Sequence, residues 1–411
     1  KTAYEIVDCD WSSDVCSSDL EDVGKMPDKN VADSLQRIPG VNVATAGGTE
    51  GGFGENDRVS LRGTPSALTL TTFNGHSISS GDWYAANIAG GGRSVSYSLF
   101  PSELIGRVTV YKTAQADLVE GGAAGSVDIE SRKPLDFKQK LTAIGSLQGV
   151  NSSLAGKNNA QVSGLVNWKS DDNTVGIMVQ AFDQKRSLLR DGQEFLWWDK
   201  MVPGYDGSGW VQANPNVLGK NISLLTGTAQ FSQERETKGG MVDLQYKVNP
   251  DLTFDLTGFY SKLEASNVNR NMMFAPYSAM TNGWSGKGGV APSNWAVVGD
   301  TITSLTLPGS CPTGLDCSSM STTVQDIAVR PGSYSDSRFV NLDVSYKASK
   351  DLSFTGKLGQ TQGTGHTRDI GYEVWNAYTG GSITVFGLNE PARIVVPGSD
   401  KLTFRPNGPI G

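Results

Sequence analysis

Residues 241–260 read Met-Val-Asp-Leu-Gln-Tyr-Lys-Val-Asn-Pro-Asp-Leu-Thr-Phe-Asp-Leu-Thr-Gly-Phe-Tyr, and this stretch decides the fold. Val242, Leu244, Tyr246 and Val248 alternate with Met241, Asp243, Gln245 and Lys247. Beyond Asn249-Pro250-Asp251, Leu252, Phe254, Leu256, Gly258 and Tyr260 alternate with Thr253, Asp255, Thr257 and Phe259. A period of two is the mark of a strand, and a short polar turn between two such runs makes an antiparallel hairpin. Val340, Leu342, Val344 and Tyr346 repeat the pattern, and Leu352, Phe354 and Leu358 continue it. A wall with lipid outside and water inside has this dyad signature. A soluble antiparallel sheet shows it too, so alternation alone leaves both open.

The connections separate them. Short polar turns stand at Ser170–Asn173, Asn249–Asp251 and Ser349–Asp351, while long irregular stretches run over roughly 188–237, 265–335 and from 366 onward. If the first strand rises from the periplasm, the short turns fall on one side and the long loops on the other, as in outer-membrane barrels. About seven strands are expected, near 140–150, 160–168, 174–187, 238–248, 252–263, 337–348 and 352–363. An open edge in lipid leaves backbone groups unpaired, so a barrel must close. Eight strands enclose a lumen already filled by side chains, whereas about 22 hold a plug. The expectation is a chain that stops in mid-barrel.

Composition agrees. The 411 residues include 50 glycines, with 37% apolar, 19% charged and 9% aromatic residues. That profile is turn-rich and aromatic enough to exclude a helical bundle and a disordered chain. A net charge of −7 and a pI near 5.1 give nucleic acid no basic footprint. No apolar run is long enough for a transmembrane helix. The start at Lys1 shows no signal peptide and reads as a truncation point. Residues 9–20, CDWSSDVCSSDL, lack helix or strand periodicity and resemble the conceptual translation of a sequencing-library adapter, so residues 1–20 are set apart as unreliable. Cys311 and Cys317, among Pro, Gly and Ser, suit a small disulfide loop in an oxidising compartment. A zinc site would need two more ligands, and His76 and His366 are the only histidines, far off in sequence. No metal and no cofactor are expected.

Residues 21–137 have another texture, that of a small α+β domain. Asn30–Ile38 makes a short amphipathic helix with Val31, Leu35 and Ile38 on one face, stopped by Pro39-Gly40. Strands are expected at Val41–Val43, within Arg58–Gly63, at Thr69–Phe73 and at Arg107–Lys112, with Asn74-Gly75 as a turn, and the domain closes with Gly121–Ile129 and Arg132–Pro134. Glycines 121, 122 and 125 flank an apolar strand that approaches a neighbour closely. In order, GKMPDKNVADSLQRIPGV, DRVSLRG, PSELIGRVTVYK and EGGAAGSVDIESRKP resemble the plug domain of a TonB-dependent outer-membrane receptor. The wording is closest to the large proteobacterial receptors linked to carbohydrate uptake.

The resemblance implies an α+β plug domain (21–137) followed by the N-terminal part of an antiparallel transmembrane β-barrel (138–411). It also implies energy from TonB with ExbB and ExbD, a plug that shifts or partly unfolds, and residence in the Gram-negative cell outer membrane among its lipid. By the same resemblance, Arg62 and Glu120 lock the plug in its barrel through buried ion pairs.

No GxxxxGK[ST], HExxH or GxSxG appears, so an enzyme is not expected. The ligand side rests on aromatic and polar residues. His76, Asp82, Trp83, Tyr84 and Arg93 are placed at the plug apex, and Trp210, Trp284 and Trp375 in the outer loops. Aromatic rings in polar surroundings stack on the apolar faces of sugars, although the loop tryptophans also suit a membrane girdle or loop packing. The expected cargo is a scarce nutrient, an oligosaccharide first. A siderophore-iron or cobalamin receptor is the alternative within the class, and a secreted β-sandwich binding module or adhesin the alternative outside it.

Overall fold

In a computed structural model, the described residues are 8–10, 15–19, 30–45, 56–81, 83, 95–116, 118–282, 288–368, 370–378, 381–385 and 402–406. They fall into two compact units, one of residues 1–188, 233–267 and 330–369, the other of 189–232, 268–329 and 370–411.

The first unit opens with β1 (Asp8–Asp10) and β2 (Val15–Asp19). Helix α1 (Val31–Leu35) begins where the Asn30 side chain accepts a hydrogen bond from the Asp33 N–H at 3.2 Å, and it buries Val31, Ala32 and Leu35. Strands β3 (Val41–Thr45) and β4 (Asn56–Leu61) pair antiparallel. β5 (Thr69–Phe73) turns through Asn74-Gly75, both at positive φ, into β6 (His76–Ser77). β7 (Ile105–Tyr111) and β8 (Gly125–Ser131) complete a six-stranded sheet in the order β1-β2-β7-β8-β5-β6, with β5 and β8 parallel. Its core is apolar: Val59, Leu61, Phe73, Leu99, Phe100, Val108, Val110, Val127 and Ile129 are buried. At Gly125, with φ 128°, a Cβ would stand 2.5 Å from the Tyr111 carbonyl and 2.6 Å from Leu61 Cδ1, so only glycine fits that approach.

Residues 15–19 depart from their sequence reading, because β2 forms without strand periodicity. It lies along the β7 edge in register from Val15 opposite Tyr111 to Asp19 opposite Arg107, and main-chain pairing asks for no side-chain pattern.

The wall follows as β9 (Leu141–Ser152), β10 (Lys157–Lys169), β11 (Val175–Lys200), β12 (Asn221–Asn249) and β13 (Leu252–Phe274). After the short strands β14 (Asn294–Val298) and β15 (Thr301–Leu307) come β16 (Ser321–Lys347) and β17 (Ser353–His366). The sheet order is β9-β10-β11-β12-β13-β16-β17. At the β12–β13 turn the Asn249 side chain accepts from the backbone N–H groups of Asp251 and Leu252, each at 2.9 Å. One face exposes Val162, Val166, Val179, Val242, Leu244, Tyr246, Tyr260, Val340, Phe354 and Leu358. Their neighbours on the other face, Asn167, Gln180, Asp243, Asp255, Thr257 and Asn341, are buried. Apolar outside and polar inside is the reverse of a soluble sandwich, whose sheets hide their apolar faces, so the adhesin alternative falls.

Two expectations need correction. β11, β12, β13 and β16 are 26, 29, 23 and 27 residues long, so much of the sequence read as loop at 188–237 and 265–335 is strand. Past Gly240 the face that carried Val242 carries Lys238, Glu236 and Glu234, and the alternation fades because both faces are polar. The turn between β9 and β10 is also short, although it lies on the side assigned to long loops.

The second unit has its own apolar core of Met201, Trp210, Val211, Val217, Ile222, Phe274, Met280, Ile302, Leu305, Leu307 and Met320. Helices α2 (Trp210–Ala213) and α3 (Pro276–Met280) and the β14–β15 hairpin supply much of it. The Asp206 carboxylate starts α2 by accepting from the N–H groups of Trp210 at 2.7 Å and Val211 at 3.0 Å. β18 (Ile370–Ala377) pairs with β16, and β19 (Gly381–Val385) joins β15 and β20 (Leu402–Pro406). Cys311 and Cys317 form the expected disulfide, with Cα atoms 6.0 Å apart.

Candidate functional site

Within the first unit the plug seats against the polar face of the wall, and the contacts that hold it form the candidate site. Lys133 follows β8 and precedes the wall. Its ammonium lies 3.2 Å from the Asp243 carboxylate on β12 and 2.8 Å from that of Asp255 on β13. Thr257 Oγ1 donates to Asp243 at 2.9 Å and Gln245 Nε2 to Asp255 at 3.0 Å, while Gln245 Oε1 accepts from the Leu135 N–H. Burial pulls the Lys133 pKa down, and the two carboxylates outweigh it and hold the value above that of an ordinary lysine. Such a triad is costly to desolvate and costlier to leave half-made.

A second fastening lies at the β5–β6 turn. The His76 ring nitrogen Nε2 is 2.9 Å from the Asp343 carboxylate on β16. Lys357 on β17 donates to the Asn74 carbonyl at 3.3 Å. Inside the plug, Asp128 accepts from Thr72 Oγ1 at 2.6 Å and from the Gly75 N–H at 2.8 Å, and burial raises its pKa despite those bonds. The third fastening is apolar. Phe73 and Phe100 of the plug meet Phe259 and Phe339 of the wall, with centroids 5.9 Å apart for 73–259, 5.4 Å for 100–259 and 4.9 Å for 259–339. Further along, the Ser79 N–H donates to Thr361 and the Gly81 N–H to the Asp336 carbonyl.

The residues singled out in the sequence do not assemble into one ligand site. His76 is buried and engaged by Asp343, four residues from the end of β16 at a short turn, so it sits at the opposite end of the wall from the expected apex. Trp83 is 4% exposed and belongs to the buried apolar cluster shared by plug and wall, not offered to a ligand. Trp210 is packed edge-to-face on Trp295 at 5.0 Å, within the second unit's core. Arg62, at φ 56° just past β4, and Glu120 are exposed. Asp82, Tyr84, Arg93 and Trp284 lie outside the described residues, as does the side chain of Trp375, whose backbone is in β18 opposite Val324.

Sequence reasoning missed Lys133, Asp243, Asp255 and Asp343. The available signal was acids on the face of an alternating strand that carries no lipid. It also missed Phe259 and Phe339, apolar residues out of step with a polar inner face.

A small α+β plug seated on the polar side of a strand wall whose other side is apolar defines a plugged β-barrel. The plug has a family: residues 11–127 match the TonB-dependent Receptor Plug Domain, and the chain carries that domain. Among solved structures, the chain is similar to the siderophore receptor PirA from Acinetobacter baumannii, at 11% identity and a TM-score of 0.34, over 90% of this chain and 60% of that one. It is also similar to a mutant of the ferric enterobactin receptor PfeA from Pseudomonas aeruginosa, at 13% identity and a TM-score of 0.35, over 91% of this chain and 62% of that one. The chain therefore spans about three-fifths of the length of these structures.

Proposed function

We propose that this chain is the plug and the first wall strands of an active-transport receptor of the Gram-negative outer membrane. The receptor imports a scarce nutrient, an oligosaccharide in the reading that the wording of the plug favours. The TonB–ExbB–ExbD complex supplies the energy, the plug shifts in its seat, and the chain catalyses no reaction. The observation that carries this reading is a plug held by polar, ionic and aromatic contacts against the water-facing side of a wall whose outer side is apolar. Contacts of that kind hold firmly and can be exchanged for water one at a time.

The experiment uses cells lacking the complete gene, complemented with it, and fed a labelled oligosaccharide or a labelled ferric siderophore, with and without a protonophore. Uptake of the oligosaccharide that needs the gene and collapses with the protonophore is expected. Gene-dependent uptake of the siderophore alone would move the substrate to the iron alternative. Recovery of the full-length product as a soluble species would overturn the receptor reading.

A further inference from the structure

Asn74 stands at φ 51° in the β5–β6 turn, a conformation that Gly or Asn adopts most readily. The backbone therefore asks for no side chain there, yet the Asn74 amide is engaged at both of its ends. Its Oδ1 accepts from the Ser131 N–H at 2.9 Å, and its Nδ2 donates to Ser131 Oγ at 3.0 Å. Ser131, the last residue of β8, carries the contact onward. Its hydroxyl lies 3.4 Å from the Asp243 carboxylate, the acid that Lys133 also holds.

On its other side the Asn74 carbonyl accepts from Lys357. Lys357 lies directly across the β16–β17 ladder from Asp343, and Asp343 holds His76, which follows Asn74-Gly75 in the same hairpin. A continuous polar chain thus runs from Asp255 through Lys133, Asp243, Ser131 and Asn74 to Lys357. It starts on β12 and β13, crosses the plug and ends on β17. Asp243 and Ser131 are buried, so water does not readily stand in for these links while the plug is seated.

We infer that Asn74, acting through Ser131, is a positioning residue that joins the two ionic fastenings into one latch. If Lys357 lets go, the hairpin shifts and takes with it the amide that orients Ser131 toward Asp243. If Lys133 lets go, Asp243 loses its cation and draws on the Ser131 hydroxyl, which loosens the hairpin in turn. The inference rests on the transporter reading above. There, such a latch keeps the plug shut under partial strain and yields as a unit to a full pull.

The test uses the complete receptor in outer membranes. Plug release is followed as protease cleavage of the plug across a urea series, while heat-modifiable gel mobility shows that the barrel stays folded. Lys133→Met, Lys357→Met and their combination form a double-mutant cycle, made in the unaltered chain, with Asn74→Gly and with Ser131→Ala. Asn74→Gly keeps the positive φ, and Ser131→Ala keeps the N–H that bonds Asn74. The two lysines share no partner among the described residues, and distant sites without shared partners ordinarily add. Coupling of about tenfold in the release equilibrium is expected in the unaltered chain, falling below about twofold with either substitution. Additive lysine effects in the unaltered chain, or undiminished coupling with Ser131→Ala, would overturn the latch, and Ser131→Ala decides the matter if Asn74→Gly fails to assemble. Absence of the unaltered receptor from the outer membrane would instead overturn the transporter reading.

Discussion

The plug and the wall satisfy the same hydrophobic requirement in opposite senses. In the plug, Leu61, Phe73, Phe100, Val108 and Ile129 are hidden and the polar surface faces outward. In the wall, Val242, Leu244, Tyr246, Val340 and Leu358 are exposed, while Asp243, Thr257 and Asn341 are buried. A single chain with both arrangements has been shaped for two solvents, because burying apolar surface from water and presenting it to lipid are the same transfer. Where the two meet, each contributes its minority type: the plug offers Lys133 and His76, and the wall offers Phe259 and Phe339.

Substitutions at that meeting place break the comparison most sharply. Phe73→Ala in the complete receptor empties the centre of the four-ring stack and should cost about 3–5 kcal/mol of plug stability, read as earlier thermal release of the plug by limited proteolysis. Trp83→Ala belongs to the same class. It should lower the thermal midpoint of the plug, and a loss of ligand affinity with that midpoint unchanged would restore the ring to the ligand. Next comes Lys133→Met, which leaves buried Asp243 without its cation at a cost of about 3 kcal/mol. It should be partly rescued by Asp243→Asn, as measured by a double-mutant cycle.

Val242→Arg places a charge on the lipid side and should cost about 2–4 kcal/mol if that position is near the bilayer midplane, measured by folding into liposomes.

The smallest effect is a pH slope. Burial raises the Asp128 carboxyl pKa in the folded plug, so the folded state keeps a proton that the unfolded chain gives up. Plug stability should therefore rise as pH falls from the raised value toward the ordinary carboxylate range, and fall again in the opposite direction. Asp128→Asn keeps the acceptor for Thr72 and Gly75 and should flatten that slope in thermal scans.

What could be read from the sequence follows the same physics. The stretch 241–260 was legible because lipid on one side and water on the other force alternation. The distal parts of β12 and β13 were not, since Lys238, Glu236, Lys262 and Glu264 continue the outer face with polar groups and the period of two no longer shows. The turn at Asn74-Gly75 was legible from its residue types, but which end of the wall it would meet was not. That depends on Asp343, 267 residues away. Trp83 beside Asp82 looked exposed because local polarity says nothing about the buried apolar cluster that it shares with Ile78 and Val95. Strand β2 was invisible for another reason: an edge can recruit a segment through main-chain bonds alone.

Lys133 lies eight residues before the first wall strand at Leu141, so the strongest ionic anchor sits beside the covalent tether between stopper and cylinder. A stopper pulled from its seat cannot drift away from that point, and the effective concentration of the ammonium near its two acids stays high throughout the excursion. Resetting is then a short intramolecular search, with the returning sheet guided home from its fixed corner.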